Sequence, residues 1–299
     1  MDVRQSEAHR KAKELKANVE SNGYNCSSII TAQYHYAFDI ADDTAKVKIL
    51  VYYGRKGLKL VLQGNKEEKL YNEINDLIFE QIDLFPNKSL ELDEPQVYIG
   101  TDESGKGDFF GPLVVAGVFV NEESRRKLVN LQVRDSKDLT DYQINSFSKK
   151  IKTIVQNQYE VFLLTPEQYN EEYNSHKNLN HMLSDIHQKV INRLLEKIEC
   201  REVIIDKFSK LEIEVPSDVK VHYIQKAEKY TAVAAASILA RAEFNKWFTN
   251  KENQGLKLLK GASTEVETLA KTISKLYGID KLNKLAKVHF KTYRKVTSK

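Results

Sequence analysis

Two acidic residues, Asp102 and Glu103, stand between an apolar run and a glycine-rich turn. The apolar run begins at Val97, the turn is Gly105-Lys106-Gly107-Asp108, and a second apolar run extends from Leu113 to Val120. Short apolar runs rich in Val and Ile and bounded by glycine predict buried strands. Glycines let the backbone turn tightly and let a ligand approach it closely. The stretch therefore predicts a carboxylate site at a strand end, although a polar loop after a strand remains the alternative on residue types alone.

Two further acidic residues have a similar local context. Asp206 ends an apolar run, and Glu228 precedes an alanine-rich segment. Several carboxylates in one site repel one another unless cations are present, and oxygen ligands without His or Cys favour Mg²⁺ or Mn²⁺. Two such ions about 3.5–4 Å apart serve in-line displacement at phosphate. The sequence alone does not bring Asp206 and Glu228 to Asp102, and as isolated residues such acids are more often helix caps or surface residues.

The elements that would position these residues divide into two blocks. In the first, apolar and polar residues alternate over 30–40, 47–53 and 58–62, which predicts an antiparallel sheet with one face on a core. Helices are predicted on either side of this sheet, over residues 4–21 and 66–83. Residues 1–85 therefore predict a small α+β domain.

An acidic segment with two prolines predicts a linker over residues 86–95. Beyond it, over residues 96–299, strands alternate with long helices, which is typical of an α/β domain. The strands are predicted at 97–102, 113–120, 158–164, 202–206 and 220–224, and the clearest helices at 178–198 and 230–248. We expect the His and Met residues of the first helix in the core or at the surface rather than as metal ligands.

Composition narrows the class of protein. The chain has 299 residues, of which 41% are hydrophobic and 29% charged, enough for two ordinary domains. No apolar run approaches the roughly 20 residues of a membrane span, and the charged segment Met1–Glu20 does not resemble a signal peptide. Cys26 and Cys200 lie far apart without metal-ligand spacing, which fits a reducing compartment. We therefore expect a cytoplasmic protein that does not contact membranes.

The positive charge is unevenly distributed. The net charge is +4, yet residues 1–90 contain 13 basic and 13 acidic residues. Much of the excess lies in Lys281–Lys299, with seven basic residues and no acidic one. Such a segment suits a polyanion, and a solvated C-terminus explains it equally well.

The stretch Asp102–Asp108 resembles the signature of type 2 ribonucleases H. Further blocks resemble the same family in the same order, and the resemblance covers about residues 95–299. These blocks are Asp135–Leu139, Val203–Asp206, and Lys226–Glu228 followed by Ala234–Arg241.

Three features resemble the ribonuclease HIII subtype. Phe109-Phe110-Gly111-Pro112 follows the glycine turn, Glu228 stands where ribonucleases HII usually have Asp, and an extra N-terminal α+β domain is predicted. This resemblance implies a TATA-binding-protein-like N-terminal sheet with helices. It also implies an α/β ribonuclease H-like domain with a mixed central sheet.

The resemblance implies an endonuclease that hydrolyses the RNA strand of RNA–DNA hybrids and leaves 5′-phosphate and 3′-hydroxyl ends. Asp102, Glu103, Asp206 and Glu228 would hold two Mg²⁺ or Mn²⁺ ions, with Asp102 between them. The expected partner is an RNA–DNA hybrid. The protein itself is expected to act as a monomer.

The same resemblance suggests how substrate is held. The backbone of Gly105-Lys106-Gly107 would contact the ribose 2′-hydroxyl, the group that distinguishes RNA from DNA. Lys106 and Lys137 are expected at phosphates. The N-terminal domain would hold the sugar–phosphate backbone of the hybrid. The net neutrality of this domain argues against strong electrostatic binding. Its candidate residues are Gln33, His35, Arg55, Lys56 and Lys59.

Two alternatives remain open from the sequence. The first is a ribonuclease HII-type activity that cuts at single ribonucleotides embedded in DNA. The second is a non-catalytic nucleic-acid-binding protein in which the acidic residues are structural.

Overall fold

The computed structural model describes residues 3–54, 57–65, 67–80, 94–131, 139–206 and 213–298. The chain divides into two compact units, Met1–Glu91 and Leu92–Lys299. The predicted linker, residues 86–95, lies mostly outside the described residues. The division of roles between the two domains therefore stays a prediction.

The N-terminal unit is an antiparallel sheet with helices. The sheet has the order β1-β3-β4-β5, and β2 pairs with β3. Its elements are α1 (Val3–Ser21), β1 (Asn25–Cys26), β2 (Ile30–Thr31), β3 (His35–Ala41), β4 (Lys46–Gly54), β5 (Gly57–Gln63) and α2 (Lys69–Glu80). This is the predicted α+β layout.

One buried stripe fastens α1 to the sheet. Ala8, Ala12, Leu15 and Val19 recur at helical spacing and are at most 3% exposed. They pack against the inward residues of β3 and β4 and against α2 in one apolar core. The alternate residues of these strands point away from that core. They include His35 and its cross-strand neighbour on β4.

The alternating pattern from Ile30 to Ile40 does not form one strand. Ala32 N donates to His35 O at 2.9 Å, and Ile30 pairs with Ala37, so the chain folds back on itself between β2 and β3. Ile30 and Tyr34 are left 57% and 62% exposed. Alternation predicts which residues share a face, but it does not locate a turn that lacks glycine and proline.

The C-terminal unit has a mixed sheet in the order β10-β9-β6-β7-β8. Strands β10, β9 and β6 are parallel, whereas β7 is antiparallel to both β6 and β8. The strands are β6 (Tyr98–Ser104), β7 (Leu113–Val120), β8 (Tyr159–Leu164), β9 (Glu202–Asp206) and β10 (Lys220–Ile224). The predicted α/β domain with a mixed central sheet is confirmed.

Helices cover both faces of this sheet. They are α3 (Glu122–Asn130), α4 (Asp141–Val155), α5 (Pro166–His176), α6 (Leu179–Leu195), α7 (Thr231–Asn253), α8 (Thr264–Asn283, interrupted at Gly278) and α9 (Lys291–Thr297). Helix α7 packs on one face, and α6 packs on the other. Among the described residues, no helix is both long and apolar enough to cross a membrane.

The contact between α7 and β6 is unusually close. A Cβ atom on Gly100 would lie 2.5 Å from Val233 N and 2.6 Å from the carbonyl carbon of Ala232. Since backbone cannot move aside as a side chain can, this position requires glycine. The N-terminus of α7 is held by a carboxylate, because Glu94 accepts the Thr231 N–H at 2.9 Å. Glu94 was predicted as a linker residue and instead caps this helix.

We expect Gly100→Ala to destabilise the C-terminal unit by about 2–3 kcal/mol, because the added methyl group forces α7 away from β6. Thermal unfolding monitored by circular dichroism measures this change. Gly54→Ala is the matched control, since a Cβ atom there meets no described residue within 4 Å. An unchanged melting temperature for Gly100→Ala would show that the helix is not held at this distance.

Candidate active site

The sheet brings the predicted acidic residues to one edge. Strand β6 continues two residues beyond its predicted end, so that Asp102 and Glu103 lie within it. Thr101 pairs with Ile205 in the parallel β6–β9 register, and the next residue of each strand is Asp102 and Asp206. The carboxyl ends of parallel strands share one edge, which is where sites form in α/β sheets. Two residues 104 positions apart in the chain are therefore neighbours.

Asp102 lies in an environment that disfavours its charge. Burial raises the pKa of this carboxyl well above its usual range, and the nearby charges of Glu103 and Asp206 raise it further. A hydrogen bond from Ser237 on α7 opposes the shift. Carboxylates crowded in this way suit a divalent cation, which stabilises the charges that repel each other.

Glu103 has partners that stabilise its negative charge. Burial acts to raise its pKa, but the hydrogen bond and charge of His187, together with the charge of Lys106, outweigh burial and lower it. His187 Nε2 lies 3.5 Å from Glu103 Oε2, and Lys106 Nζ lies 3.4 Å from Glu103 Oε1. One acid of the pair therefore stays charged while its neighbour is disfavoured.

The histidine belongs to a buried polar chain that sequence reasoning missed. His187 is 1% exposed, and its Nδ1 lies 2.8 Å from Thr101 Oγ1. It points from α6 to the end of β6, where it contacts Glu103. The available signal was its position on the apolar stripe of α6, four residues after Leu183 and three before Val190. A polar residue on such a stripe needs a partner.

Glu228 is brought near Asp206 by a backbone hydrogen bond of the residue that precedes it. A short 3₁₀ helix, Ala227–Lys229, follows β10 and leads into α7. The Ala227 N–H donates to Asp206 Oδ1 at 3.2 Å, so the residue before Glu228 is fixed at the carboxylate edge. The Glu228 side chain is half-buried.

The described residues contain no group of three or more His, Cys, Asp or Glu side chains that stands ready to hold a metal ion. The four-carboxylate metal site therefore stays a prediction. Several predicted substrate-contacting residues lie outside the described residues. They are Lys137, most of the Asp135–Leu139 block, Arg55 and Lys56.

The glycines of the turn have different roles. Gly105 has a φ of +91°, and a Cβ atom there would overlap the Pro112 carbonyl and lie 2.8 Å from the Phe244 ring. A Cβ atom on Gly107 would meet none of the described residues within 4 Å. Gly105 is thus required by packing and backbone conformation, whereas the space beside Gly107 is not filled by any residue that the structure describes.

The N-terminal unit offers a second candidate surface, away from its apolar core. The rings of His35 and Tyr52 pack against each other on this face with centroids 4.7 Å apart and planes tilted by 44°, and Lys59 pairs with Tyr52 on the next strand. Asp39 on the same face pairs with Lys46 at 3.0 Å and Lys48 at 3.6 Å. The face carries aromatic rings together with charges of both signs.

We expect His187→Leu to weaken divalent-cation binding by about 10- to 100-fold, because Glu103 loses the group that orients it. Titration calorimetry with Mn²⁺ measures this directly, without any reaction. His181→Leu on the exposed side of the same helix is the control. Unchanged Mn²⁺ affinity in a folded His187→Leu protein would contradict the orienting role.

Comparison with known proteins gives consistent matches. The family described as Ribonuclease HII matches residues 99–293, more than half of the chain. Ribonuclease HIII of Protochlamydia amoebophila is 37% identical over 251 residues, covering 81% of this chain and 81% of that protein. Ribonuclease HIII of Chlamydia abortus is 35% identical over 295 residues, covering 94% and 93%. The crystal structure of Bst-RNase HIII in complex with Mn²⁺ has a TM-score of 0.63 at 26% identity and covers 95% of each chain.

The extent of these matches distinguishes the subtype. The ribonuclease HII match begins at residue 99. The Chlamydia abortus protein and the Bst structure match more than nine-tenths of the chain and therefore include the N-terminal unit. The α+β layout and the mixed sheet that follows are shared with the Bst structure, and together with the sequence match this confirms the predicted subtype and fold class. The chain belongs to the ribonuclease HIII family.

Proposed function

We propose that this ribonuclease H hydrolyses the RNA strand of RNA–DNA hybrids with two divalent ions held by Asp102, Glu103, Asp206 and Glu228. The products are a 5′-phosphate and a 3′-hydroxyl end. The observation that carries the proposal is the crowding of Asp102 against Glu103 and Asp206 at the shared edge of β6 and β9. The ligands are all oxygen, which favours Mg²⁺ or Mn²⁺.

The acidic residues and the groups that orient them have different roles. When bound, two divalent ions activate the attacking water and stabilise the leaving 3′-oxygen. Asp102 is the acid whose charge depends most on such ions, because both Glu103 and Asp206 repel it. His187 orients Glu103, while the Ala227 N–H orients Asp206. Glu103 and Asp206 are thus each held by a partner from a different element.

The turn after β6 is the proposed site at which the RNA strand is distinguished from the DNA strand. We propose that the backbone at Gly107 contacts the ribose 2′-hydroxyl, since none of the described residues would meet a Cβ atom there within 4 Å. Lys106 is half-buried beside Glu103 and belongs with Lys137 at the phosphates of the cut strand. Chemistry and recognition of RNA are then less than six residues apart.

The N-terminal unit is proposed to hold the hybrid along its backbone. Its surface around His35, Tyr52 and Lys59 combines aromatic rings with a cation, a combination found in nucleic-acid-binding surfaces. Residues 1–90 carry 13 basic and 13 acidic residues, so contacts to sugars and bases would contribute more to binding than net charge. We further propose that the protein acts as a monomer in the cytoplasm.

We expect Asp102→Asn to reduce hydrolysis of an RNA–DNA hybrid in Mg²⁺ to the background while hybrid binding is largely retained. The amide cannot hold a cation between neighbouring carboxylates. Gel-based cleavage and fluorescence-anisotropy binding measure the two properties, with Asp218→Asn on the exposed surface as the control. A wild-type protein that binds the hybrid without cutting it, so that Asp102→Asn changes nothing, would support the non-catalytic binding protein instead.

The same assay separates the two enzyme subtypes. Ribonuclease HIII activity predicts efficient cutting of a long hybrid and poor cutting of a DNA duplex that carries one ribonucleotide. The reverse preference would favour the ribonuclease HII-type alternative, whose family matches residues 99–293.

We expect Gly107→Ala to slow hybrid cleavage by about tenfold or more at unchanged thermal stability, because its methyl group fills the space that the ribose must approach. Gly54→Ala again serves as the control. Wild-type kinetics in Gly107→Ala would mean that the substrate does not approach this backbone.

A further inference from the structure

A segment near the C-terminus lies directly against the chain that follows the glycine turn. Gly111 N donates to Leu285 O at 3.0 Å, and Lys287 N donates to Phe109 O at 2.9 Å. Between these two bonds, Phe110 pairs with Ala286 as an isolated antiparallel bridge. Residues 109–111 and 285–287 therefore form a miniature two-stranded ladder across about 176 residues of sequence.

The side chain of Lys287 completes this ladder from inside the protein. It is fully buried, and its Nζ donates to Asp108 O at 2.8 Å and to Gly111 O at 2.8 Å. The amine also lies 5.4 Å from the centre of the Tyr169 ring. Burying an amine is costly, so the contacts of this one with two backbone carbonyls and a ring call for an explanation.

The contact does not depend on the charge of the amine. Burial lowers the pKa of Lys287 to about 7, although Asp108 opposes the shift. A neutral amine retains two N–H groups, which match the two carbonyl acceptors. Lys287 therefore fixes Asp108 and Gly111 in either protonation state.

The carbonyls of Asp108 and Gly111 lie where the chain leaves the Gly105–Gly107 turn, so fixing them fixes the path of the turn. Asp108 is the residue directly after Gly107, so its carbonyl marks the exit of the Gly105–Gly107 turn. The other side of Asp108 is also fastened, since Gly261 N donates to its Oδ1 at 2.6 Å. At the entrance, the packing of Gly105 against Phe244 leaves no freedom. The backbone facing open space at Gly107 is thus held between two fixed ends.

The segment that carries Lys287 is itself anchored. Asn170 on α5 donates to Ala286 O at 2.9 Å and accepts the Val288 N–H at 3.0 Å. These bonds hold the backbone on both sides of Lys287. Its amine is therefore presented to the turn from a rigid support.

We propose that Lys287 is a positioning residue that sets the Gly105–Gly107 turn for the ribose 2′-hydroxyl and so determines selectivity for RNA without touching substrate. The inference rests on the proposed function of that turn. A displacement of the turn by about 1 Å from a remote change can cost about 100-fold in rate. The loss should appear in kcat, because hybrid backbone contacts elsewhere remain.

The test is a coupling measurement on the full-length enzyme. Wild type and Lys287→Met are compared on an RNA–DNA hybrid and on hybrids in which each ribonucleotide flanking one cut site is replaced in turn by a deoxyribonucleotide. Single-turnover cleavage gives the rate penalty for removing each 2′-hydroxyl. If Lys287 acts through that contact, the two changes are non-additive, and the penalty shrinks by about tenfold in Lys287→Met. Lys275→Met on the exposed surface of α8 should keep the wild-type penalty.

A merely structural role predicts something different. A partly unfolded Lys287→Met population lowers all rates in proportion, but every folded molecule keeps the full 2′-hydroxyl penalty, and that result overturns the inference. Asn170→Ala loosens the same segment from a half-buried position, and it should reduce the penalty if Lys287→Met does not fold. An unchanged penalty in Asn170→Ala would then overturn the inference. A wild-type protein that does not cut hybrids would instead remove the proposed function.

Discussion

The repulsion among carboxylates at the ends of β6 and β9 is the constraint around which the C-terminal unit is built. Asp102 is buried beside Glu103 and Asp206, and each neighbour disfavours its charge. Such an arrangement persists only because the surrounding fold supplies partners. Helix α7 provides Ser237, α6 provides His187, and the chain before α7 provides the Ala227 N–H. The elements that cover both sheet faces thus also stabilise the acids.

Close helix packing is what lets α7 reach the site. At Gly100 the backbones of β6 and α7 leave no room for a Cβ atom, so the helix axis lies nearer to the sheet than larger residues allow. The alanine-rich sequence of α7 serves the same approach, and Ser237 is carried to Asp102 as a result. Glu94 holds the N-terminus of the helix at this position. A packing requirement and an electrostatic requirement therefore meet on one helix.

Sequence patterns predicted what depends on local order. The strand–turn–strand around Asp102 and the two-block architecture follow from periodicity, whereas the mixed sheet follows from the family resemblance that the ordered motifs carry. Residues whose role depends on distant partners were missed: His187 meets Thr101 across 86 positions, and Lys287 meets Asp108 across 179. Glu94, predicted as a linker acid, caps a helix 137 residues away. No local pattern encodes such pairings, because only the packed sheet brings the partners together.

Neighbouring residues on one turn depend on different parts of the fold. Asp102 and Asp206 are placed by the β6–β9 register, which needs nothing from the C-terminal segment. The path from Gly105 to Gly111 instead depends on Phe244, Gly261 and Lys287, all of which come after α7 begins. The carboxylate edge and the glycine turn, although adjacent in sequence, therefore depend on different contacts, and a change at Lys287 acts on the turn while the β6–β9 register keeps the acidic residues in place.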